Sequence, residues 1–231
     1  MIYLDNNSTT KVDPRVLRKM LPYFSKLYNN PHSQNTIHNK KIVKDIETAR
    51  KNIAKLIGAE TKEIIFTSGA TEANNLAIKG QQFKIKNGRD HFVSYKTEHK
   101  CVLEAIRKME FYNGKSTILS VSENGLIDLE KLEKNITSNT ILVSVMMANN
   151  ETGVIQPIKE IANICKKKKV LFHTDAAQAV GKIEIDVKKL DIDMMSISAH
   201  KFYGPKGIGA LYLRSKPKIR LNQQIDGGGQ E

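Results

Sequence analysis

The sequence predicts an α/β protein in which helices cover both faces of a mainly parallel sheet. Seven short runs rich in β-branched and aromatic residues alternate with longer segments in which apolar residues recur at helical spacing. The 231 residues are enough for one large domain of this class. Such sheets bind ligands at the carboxyl ends of their strands, so polar residues that directly follow a strand are the candidates for a site.

Two helices are predicted before the first strand. Asp13 fits an N-cap, and proline at the next position starts an amphipathic stretch from Pro14 to about Tyr28. A second helical stretch runs from Thr36 to Leu56, and Gly58 supplies its C-terminal stop.

Strands and helices then alternate to the end of the chain. Strands are predicted at Ile64–Thr67, His91–Tyr95, Thr117–Val121, Ile141–Met147, Val170–Thr174, Asp193–Ser198 and Ile208–Leu213. Helices are predicted at Glu72–Lys86, Lys100–Phe111, Leu129–Asn135 and Ile158–Lys168. The loop Gly204–Gly207 is too short for a crossover helix, so the last strand is expected to run antiparallel to the strand before it.

Composition argues against several classes of protein. The 37 basic and 24 acidic residues give a net charge of +13, but the lysines are spread over many helix faces and no nucleic-acid motif is present, so no direct nucleic-acid binding is expected. No apolar run approaches about 18 residues and no signal-peptide pattern appears, which predicts a cytoplasmic protein without membrane contact. Cys101 and Cys165 form no CxxC pair and the histidines lack metal-ligand spacing, so no metal site is expected.

Lys201 is the first candidate for a reactive residue. It follows the strand that ends at Ser198, and His200 precedes it directly. A lysine that is held at a strand end and partly desolvated has a lowered pKa, which suits Schiff-base chemistry with a carbonyl compound. The alternative is an ordinary surface lysine in a lysine-rich chain.

Other polar residues follow other strands. Asp175 emerges from an apolar strand and needs a cationic partner, for which a protonated pyridine nitrogen would serve, and Gln178 lies on the same side if the turn is helical. His99, at a helix start, suits ring stacking and proton transfer, although a lone histidine is more often structural. Asn150 suits hydrogen bonding to a ligand and is equally an ordinary turn residue.

The turn Thr67–Glu72 is a candidate anion cup. Its small residues let N–H groups approach an anion, Thr71 adds a hydroxyl, and the following helix presents its positive end. A capping box through Thr71 and Asn74, or through Ser68 and Thr71, explains the same residues. An anion cup, a carboxylate, a ring-stacking histidine and a lysine together form the layout of a pyridoxal phosphate (PLP) site.

Seven stretches resemble one enzyme family, in order and with family-like spacing. The family is the cysteine desulfurases of the nitrogen-fixation and iron–sulfur-cluster type, within the class V aminotransferases. The stretches are Tyr3–Thr10, Phe66–Glu72, Thr97–His99, Ala148–Gly153, His173–Lys182, Ser198–Lys201 and Gly227–Glu231.

The resemblance implies a homodimeric, fold-type I PLP enzyme. It would convert L-cysteine to L-alanine and pass the sulfur, as a persulfide, to iron–sulfur scaffold and sulfur-acceptor proteins for clusters and thiolated tRNA. Carried over by motif, Lys201 is the Schiff-base lysine and His99 stacks over the ring and handles protons. The remaining implied contacts are Asp175 with the pyridinium, Gln178 with the ring oxygen, Asn150 with the cofactor and substrate region, and Ala70, Thr71, Ser198 and His200 with the phosphate.

The chain departs from the family pattern in two respects. Ala199 stands where glycine is usual, and a methyl group there is expected to be tolerable. In the family a small C-terminal domain follows Glu231 and carries the substrate-binding arginine and the sulfur-accepting cysteine. We therefore interpret the chain as an arm, residues 1–13, that would pack on that missing domain, and a PLP-binding large domain, residues 14–231. Neither Cys101 nor Cys165 occupies the position of the sulfur-accepting cysteine. Cys101 follows His99 at a helix start and could lie near the cofactor, but a buried or inert thiol is expected.

Two other interpretations remain open. One is a related class V PLP enzyme, such as an aminotransferase or a selenocysteine lyase, against which the stretches Ala148–Gly153 and Gly227–Glu231 argue. The other is a non-catalytic homologue that acts in dimerisation or in docking sulfur-transfer partners.

Overall fold

The computed structural model describes residues 2–33, 37–227 and 231, and contains one seven-stranded sheet. The strands are β1 (Ile64–Thr67), β2 (His91–Tyr95), β3 (Lys115–Leu119), β4 (Thr140–Ser144), β5 (Leu171–Asp175), β6 (Met194–Ser198) and β7 (Gly209–Leu213). The α-helices are α1 (Pro14–Ser25), α2 (Ile37–Leu56), α3 (Ala70–Lys79), α4 (Lys100–Glu110), α5 (Leu129–Asn135) and α6 (Ile158–Lys167). The strand order is β1-β7-β6-β5-β4-β2-β3. No helix in these ranges has the length and apolar character needed to cross a membrane.

Both faces of the sheet are buried, because neighbouring residues of one strand enter different cores. In β2, Phe92 belongs to the core that contains α3 and α4, whereas Val93 belongs to the core that contains α6. Met194 and Met195 divide in the same way on β6. Side chains on a strand point alternately to its two faces, so apolar runs of this kind fit a sheet that helices cover on both sides.

The parallel sheet with a single reversed strand confirms the predicted topology. β2, β3, β4, β5 and β6 pair in parallel, and β7 runs antiparallel to both β6 and β1. Gly209 starts β7 opposite Ser198 and Thr67. A Cβ atom on Gly209 would lie 2.7 Å from Gly69 Cα, so glycine is required for the turn after β1 to lie against β7.

Several element boundaries differ from the prediction. α1 begins as predicted, with the Asp13 carboxylate accepting from the Arg15 N–H at 2.7 Å, but it ends at Ser25 because the N–H groups of residues 26 and 27 both donate to the Pro22 carbonyl. α3 begins two residues early and ends at Lys79, and a separate 3₁₀ helix spans Gln82–Asn87. β3 begins and ends two residues before its prediction. The predicted start of α2 at Thr36 lies outside the described residues, as does the Gly228–Gln230 part of the last motif.

Candidate functional site

A cavity of about 830 Å³ lies at the carboxyl ends of the parallel strands. All nine residues proposed for the site line it: Ala70, Thr71, His99, Asn150, Asp175, Gln178, Ser198, His200 and Lys201. They come from the turns after β1, β2, β5 and β6 and from the loop beyond β4. Parallel strands bring their carboxyl ends to one edge, so residues more than 100 positions apart meet there.

Lys201 lies half-buried at the end of a 3₁₀ turn, Ala199–Lys201, directly after β6. Its Nζ donates to the Asn7 carbonyl at 2.9 Å and to the Ser8 carbonyl at 2.8 Å. Burial lowers the pKa of this amine, and the positive charge of Lys182 lowers it further. Both effects raise the fraction of neutral, nucleophilic amine at a given pH.

Asp175, the last residue of β5, presents a carboxylate that is only 5% exposed. Its Oδ2 accepts from Asn74 Nδ2 at 2.7 Å, and its Oδ1 accepts from the Ala177 N–H at 2.9 Å. Burial raises the pKa of the carboxyl, while these two donors oppose the rise. Neither bond comes from a cation, so within the described residues the expected cationic partner is not supplied by a hydrogen-bonded side chain.

His99 is the N-cap of α4. Its Nδ1 accepts from the Cys101 N–H at 3.2 Å and lies 3.0 Å from Cys101 Sγ. Because Nδ1 is an acceptor, a neutral imidazole carries its proton on Nε2. Cys101 lines the cavity, so it lies near the proposed site, as the sequence had left open. Burial raises the pKa of its thiol, which agrees with the expectation of low reactivity, and Cys165 is buried in α6.

The turn after β1 is capped differently from either predicted capping pair. Glu72 reaches back, and its Oε2 accepts from the Ser68 N–H at 2.7 Å and from the Ser68 hydroxyl at 2.6 Å. The Asn74 side-chain amide donates to the Asp175 carboxylate instead of capping α3. Ser68 is therefore occupied, whereas the N–H groups of Ala70 and Thr71 belong to the first turn of α3 and have no acceptor within the helix. N–H groups at the start of a helix are suited to binding an anion.

The remaining phosphate candidates lie beside the N-terminal segment. Ser198 is buried at the end of β6, and His200 Nδ1 lies 3.0 Å from the Thr9 hydroxyl. The methyl group of Ala199 is accommodated because residue 204 is glycine: a Cβ on Gly204 would lie only 2.7 Å from Ala199 Cβ.

The two amides occupy turns. Gln178 lies in a run of tight turns rather than in a helix. Its Nε2 donates to the Asn7 carbonyl at 2.8 Å, and its Oε1 accepts from Lys182 Nζ at 2.7 Å. Asn150 is half-buried in the cavity wall, next to Asn149, whose Oδ1 accepts from the N–H groups of the two residues after Asn150.

Sequence reasoning missed three residues that hydrogen-bond to the proposed site residues. Asn7 and Ser8 act through backbone carbonyls, which no side-chain pattern reveals. Asn74 had a usable signal, because it is a fully buried amide on a helix face shared with Ala73, Ala77 and Ile78. A buried amide needs a polar partner, and here that partner is the buried carboxylate of Asp175.

Comparison with known proteins gives a consistent result. The family model for class V aminotransferases matches residues 2–231. Cysteine desulfurase IscS of Rickettsia massiliae (strain Mtu5) is 55% identical over 230 residues, which cover 100% of this chain and 56% of that protein. The mitosomal cysteine desulfurase of Trachipleistophora hominis is 54% identical over 232 residues, covering 100% of this chain and 53% of that protein.

Solved structures agree in fold. A structure of SspA in complex with cysteine superposes with a TM-score of 0.95 at 43% identity, covering 100% of this chain and 66% of that one. A NifS-like protein also gives a TM-score of 0.95, at 40% identity, covering 99% of this chain and 62% of that one. The chain spans about half the length of the curated relatives described above.

Proposed function

Because the chain belongs to the class V aminotransferase family, a family of PLP enzymes, we propose that it is the cofactor-holding part of a cysteine desulfurase. The observation that carries the proposal is the convergence of Lys201 and Asp175 on one cavity, with His99 in its wall. The relatives named as cysteine desulfurases support the choice of reaction, as does the neighbouring structure that holds cysteine.

The residues of the cavity fit PLP. Asp175 is a buried carboxylate hydrogen-bonded only by neutral donors within the described residues, which suits a protonated ring nitrogen. The free N–H groups of Ala70 and Thr71, with Ser198 and His200, suit a phosphate. Gln178 would donate to the ring oxygen, and Asn150 would contact the cofactor and substrate region.

Bound PLP supplies an aldehyde that reacts with amines and a ring that withdraws electrons from the bond being broken. Lys201 contributes an amine whose lowered pKa favours the neutral form. Asp175 holds positive charge at the ring nitrogen. His99 exchanges a proton at Nε2, because its Nδ1 is held by the start of α4.

Substrate, partners and location follow the same proposal. We infer L-cysteine as the substrate and L-alanine as the product, in a homodimer that serves iron–sulfur scaffold and sulfur-acceptor proteins. We place residues 14–231 in the PLP-binding domain and residues 1–13 in an arm that also packs on a small domain of the kind the longer relatives contain. A cytoplasmic location remains a prediction, since the relatives include bacterial and mitosomal enzymes.

Covalent trapping tests the cofactor assignment. The purified chain is incubated with PLP, reduced with borohydride, digested and mapped by mass spectrometry. A pyridoxyl group is expected on Lys201 in the wild type and in Lys206→Ala, which removes another cavity lysine, and no label is expected in Lys201→Ala. Label scattered over surface lysines, or no label, would refute the assignment.

The reaction is tested separately, by L-alanine formation from L-cysteine in the loaded protein. Alanine formed from L-selenocysteine but not from L-cysteine would favour the lyase alternative. Little or no persulfide is expected on this chain, because burial raises the pKa of both thiols and so suppresses the thiolate that would attack sulfur.

A further inference from the structure

Lys182 is bonded to one of the proposed cofactor ligands, and the function assigned so far uses only its charge, which lowers the pKa of Lys201. Its Nζ donates to Gln178 Oε1 at 2.7 Å. The Gln178 Nε2 on the other side of the same amide donates to the Asn7 carbonyl, which also accepts from Lys201. The contacts therefore run from Lys182 through Gln178 and Asn7 to Lys201.

The backbone brings Lys182 back toward Gln178. Two overlapping turns, Val180 N–H to the Ala176 carbonyl and Lys182 N–H to the Ala179 carbonyl, both at 3.0 Å, fold this segment after β5. Gly181 has φ +77°, a conformation that glycine adopts at little cost. A Cβ there would also lie 3.2 Å from Phe202 Cβ, so the turn is fixed by its neighbour as well as by its own backbone.

A side-chain amide has two chemically different ends, and a half-exposed glutamine can present either of them. An ammonium group only donates hydrogen bonds, so the end of Gln178 that faces Lys182 must be the oxygen. The NH₂ group must then face the opposite side, toward the Asn7 carbonyl and the cavity. Partial burial lowers the pKa of Lys182, but the residue as a whole is exposed to solvent, so its bond to Gln178 is partly screened.

We propose that Lys182 is a positioning residue that sets the orientation of the Gln178 amide and so leaves its NH₂ group as a donor to the cofactor oxygen. This inference rests on the proposed function of Gln178. The Asn7 carbonyl, which only accepts, favours the same orientation, so the charge at position 182 strengthens or opposes it: arginine preserves the preference, methionine weakens it, and glutamate, which accepts hydrogen bonds, opposes it.

The test is PLP binding by the full chain, followed by the visible absorbance band of the bound cofactor. Lys182→Arg is expected to bind within about twofold of the wild type. Lys182→Met is expected to lose up to about tenfold in affinity, and Lys182→Glu more, because the Gln178 oxygen loses its hydrogen-bond donor and, in the glutamate variant, faces an acceptor. The band should shift in the glutamate variant, since the cofactor oxygen would then meet the amide oxygen.

Two controls separate orientation from charge or folding. Lys131→Glu, on α5, makes the same charge change away from the cavity and should bind like the wild type. In a Gln178→Ala background, Lys182→Glu should produce no additional loss. Equal binding by Lys182→Glu and Lys131→Glu, or an undiminished loss in the Gln178→Ala background, would overturn the inference.

The unloaded protein gives a readout that does not depend on the proposed function. An NOE between the Gln178 NH₂ protons and the protons of Asn7 or Ser8 is expected in the wild type and in Lys182→Arg, and not in Lys182→Glu. If the wild type failed to bind PLP, the proposed function would fail while this NOE still tested the amide orientation. An NOE that persists in Lys182→Glu would refute it.

Discussion

Replacing Asn74 by alanine should destabilise the protein by an amount that depends on pH. Asn74 Nδ2 donates at 2.7 Å to the buried carboxylate of Asp175. A hydrogen bond to a charged group contributes about 1.5–3 kcal/mol, whereas one between neutral groups contributes about 0.5–1.5 kcal/mol. The loss should therefore be larger at a pH where Asp175 is ionised than at a pH where it is protonated.

The sign follows from linkage. Burial already raises the pKa of Asp175 in the folded protein, and removal of the Asn74 donor raises it further. Each additional pKa unit lowers the free energy of unfolding of the variant, relative to the wild type, by about 1.4 kcal/mol above the folded pKa. Below that pKa both proteins carry a neutral Asp175, and the pH-dependent part of the difference disappears.

Urea unfolding of both proteins between about pH 4 and about pH 8 measures this difference. Asn75→Ala is the matched control, because the neighbouring amide on α3 donates to the Thr71 carbonyl at 2.8 Å and has no carboxylate partner in the part of the chain that the structure describes. Its effect on stability should be constant with pH. A constant effect for Asn74→Ala as well would refute the reasoning and show that Asn74 contributes by packing alone.

Three further predictions use other contacts. Cys101 should react with iodoacetamide at about pH 8 more slowly than a free cysteine, because burial raises its pKa, and bound PLP should slow the reaction further. Labelling of the PLP complex as fast as that of the unloaded protein would contradict this. Burial lowers the pKa of His173 to about 3, so wild-type stability should fall by up to about 1.4 kcal/mol per pH unit below pH 6.5, and urea unfolding should show a shallower fall in His173→Gln. Gly209→Ala should reduce the melting temperature and PLP affinity together, since its Cβ would lie 2.4 Å from the Ile197 carbonyl oxygen, whereas Gly88→Ala, which is strained by its φ of +84° but lies away from the cavity, should lower the melting temperature and change PLP affinity little.

The fold could be predicted from the sequence because burial and periodicity agree along most of the chain. The ranges of β1, β2 and α5 match their predictions to the residue. One error had a local signal that the prediction did not use: α3 ends at Lys79, and Gly80 is its C-cap. A distant contact adds to that signal, because the Asn222 N–H donates to the Gly80 carbonyl at 2.8 Å.

The sequence predicted which residues would meet at one cavity, but it did not predict their hydrogen-bond partners. Lys201, Asp175 and His99 could be chosen because strand ends meet at one edge of a parallel sheet. Their hydrogen bonds depend on backbone carbonyls, as for Lys201, or on a helix residue 101 positions away, as for Asp175 and Asn74. In the lysine run 166–169, Lys166 pairs with Asp191 and Lys167 with Glu133, so part of the net charge of +13 is offset locally, and the expectation of no direct nucleic-acid binding stays a prediction.

The N-terminal segment also supplies hydrogen bonds to the residues of the site. Asn7 and Ser8 supply both acceptors of the Lys201 amine, and Thr10 bonds to the His200 carbonyl through its N–H at 2.9 Å and through its hydroxyl at 3.0 Å. In the proposed function, the Lys201 amine must leave these bonds and lose its proton before it can react. Any group that takes the Lys201 amine must compete with two carbonyl oxygens, and the lowered pKa of Lys201 favours that exchange because a neutral amine bonds to them less strongly than an ammonium does. The predicted domain boundary at residue 13 therefore does not divide the site, because residues on both sides of it line the cavity.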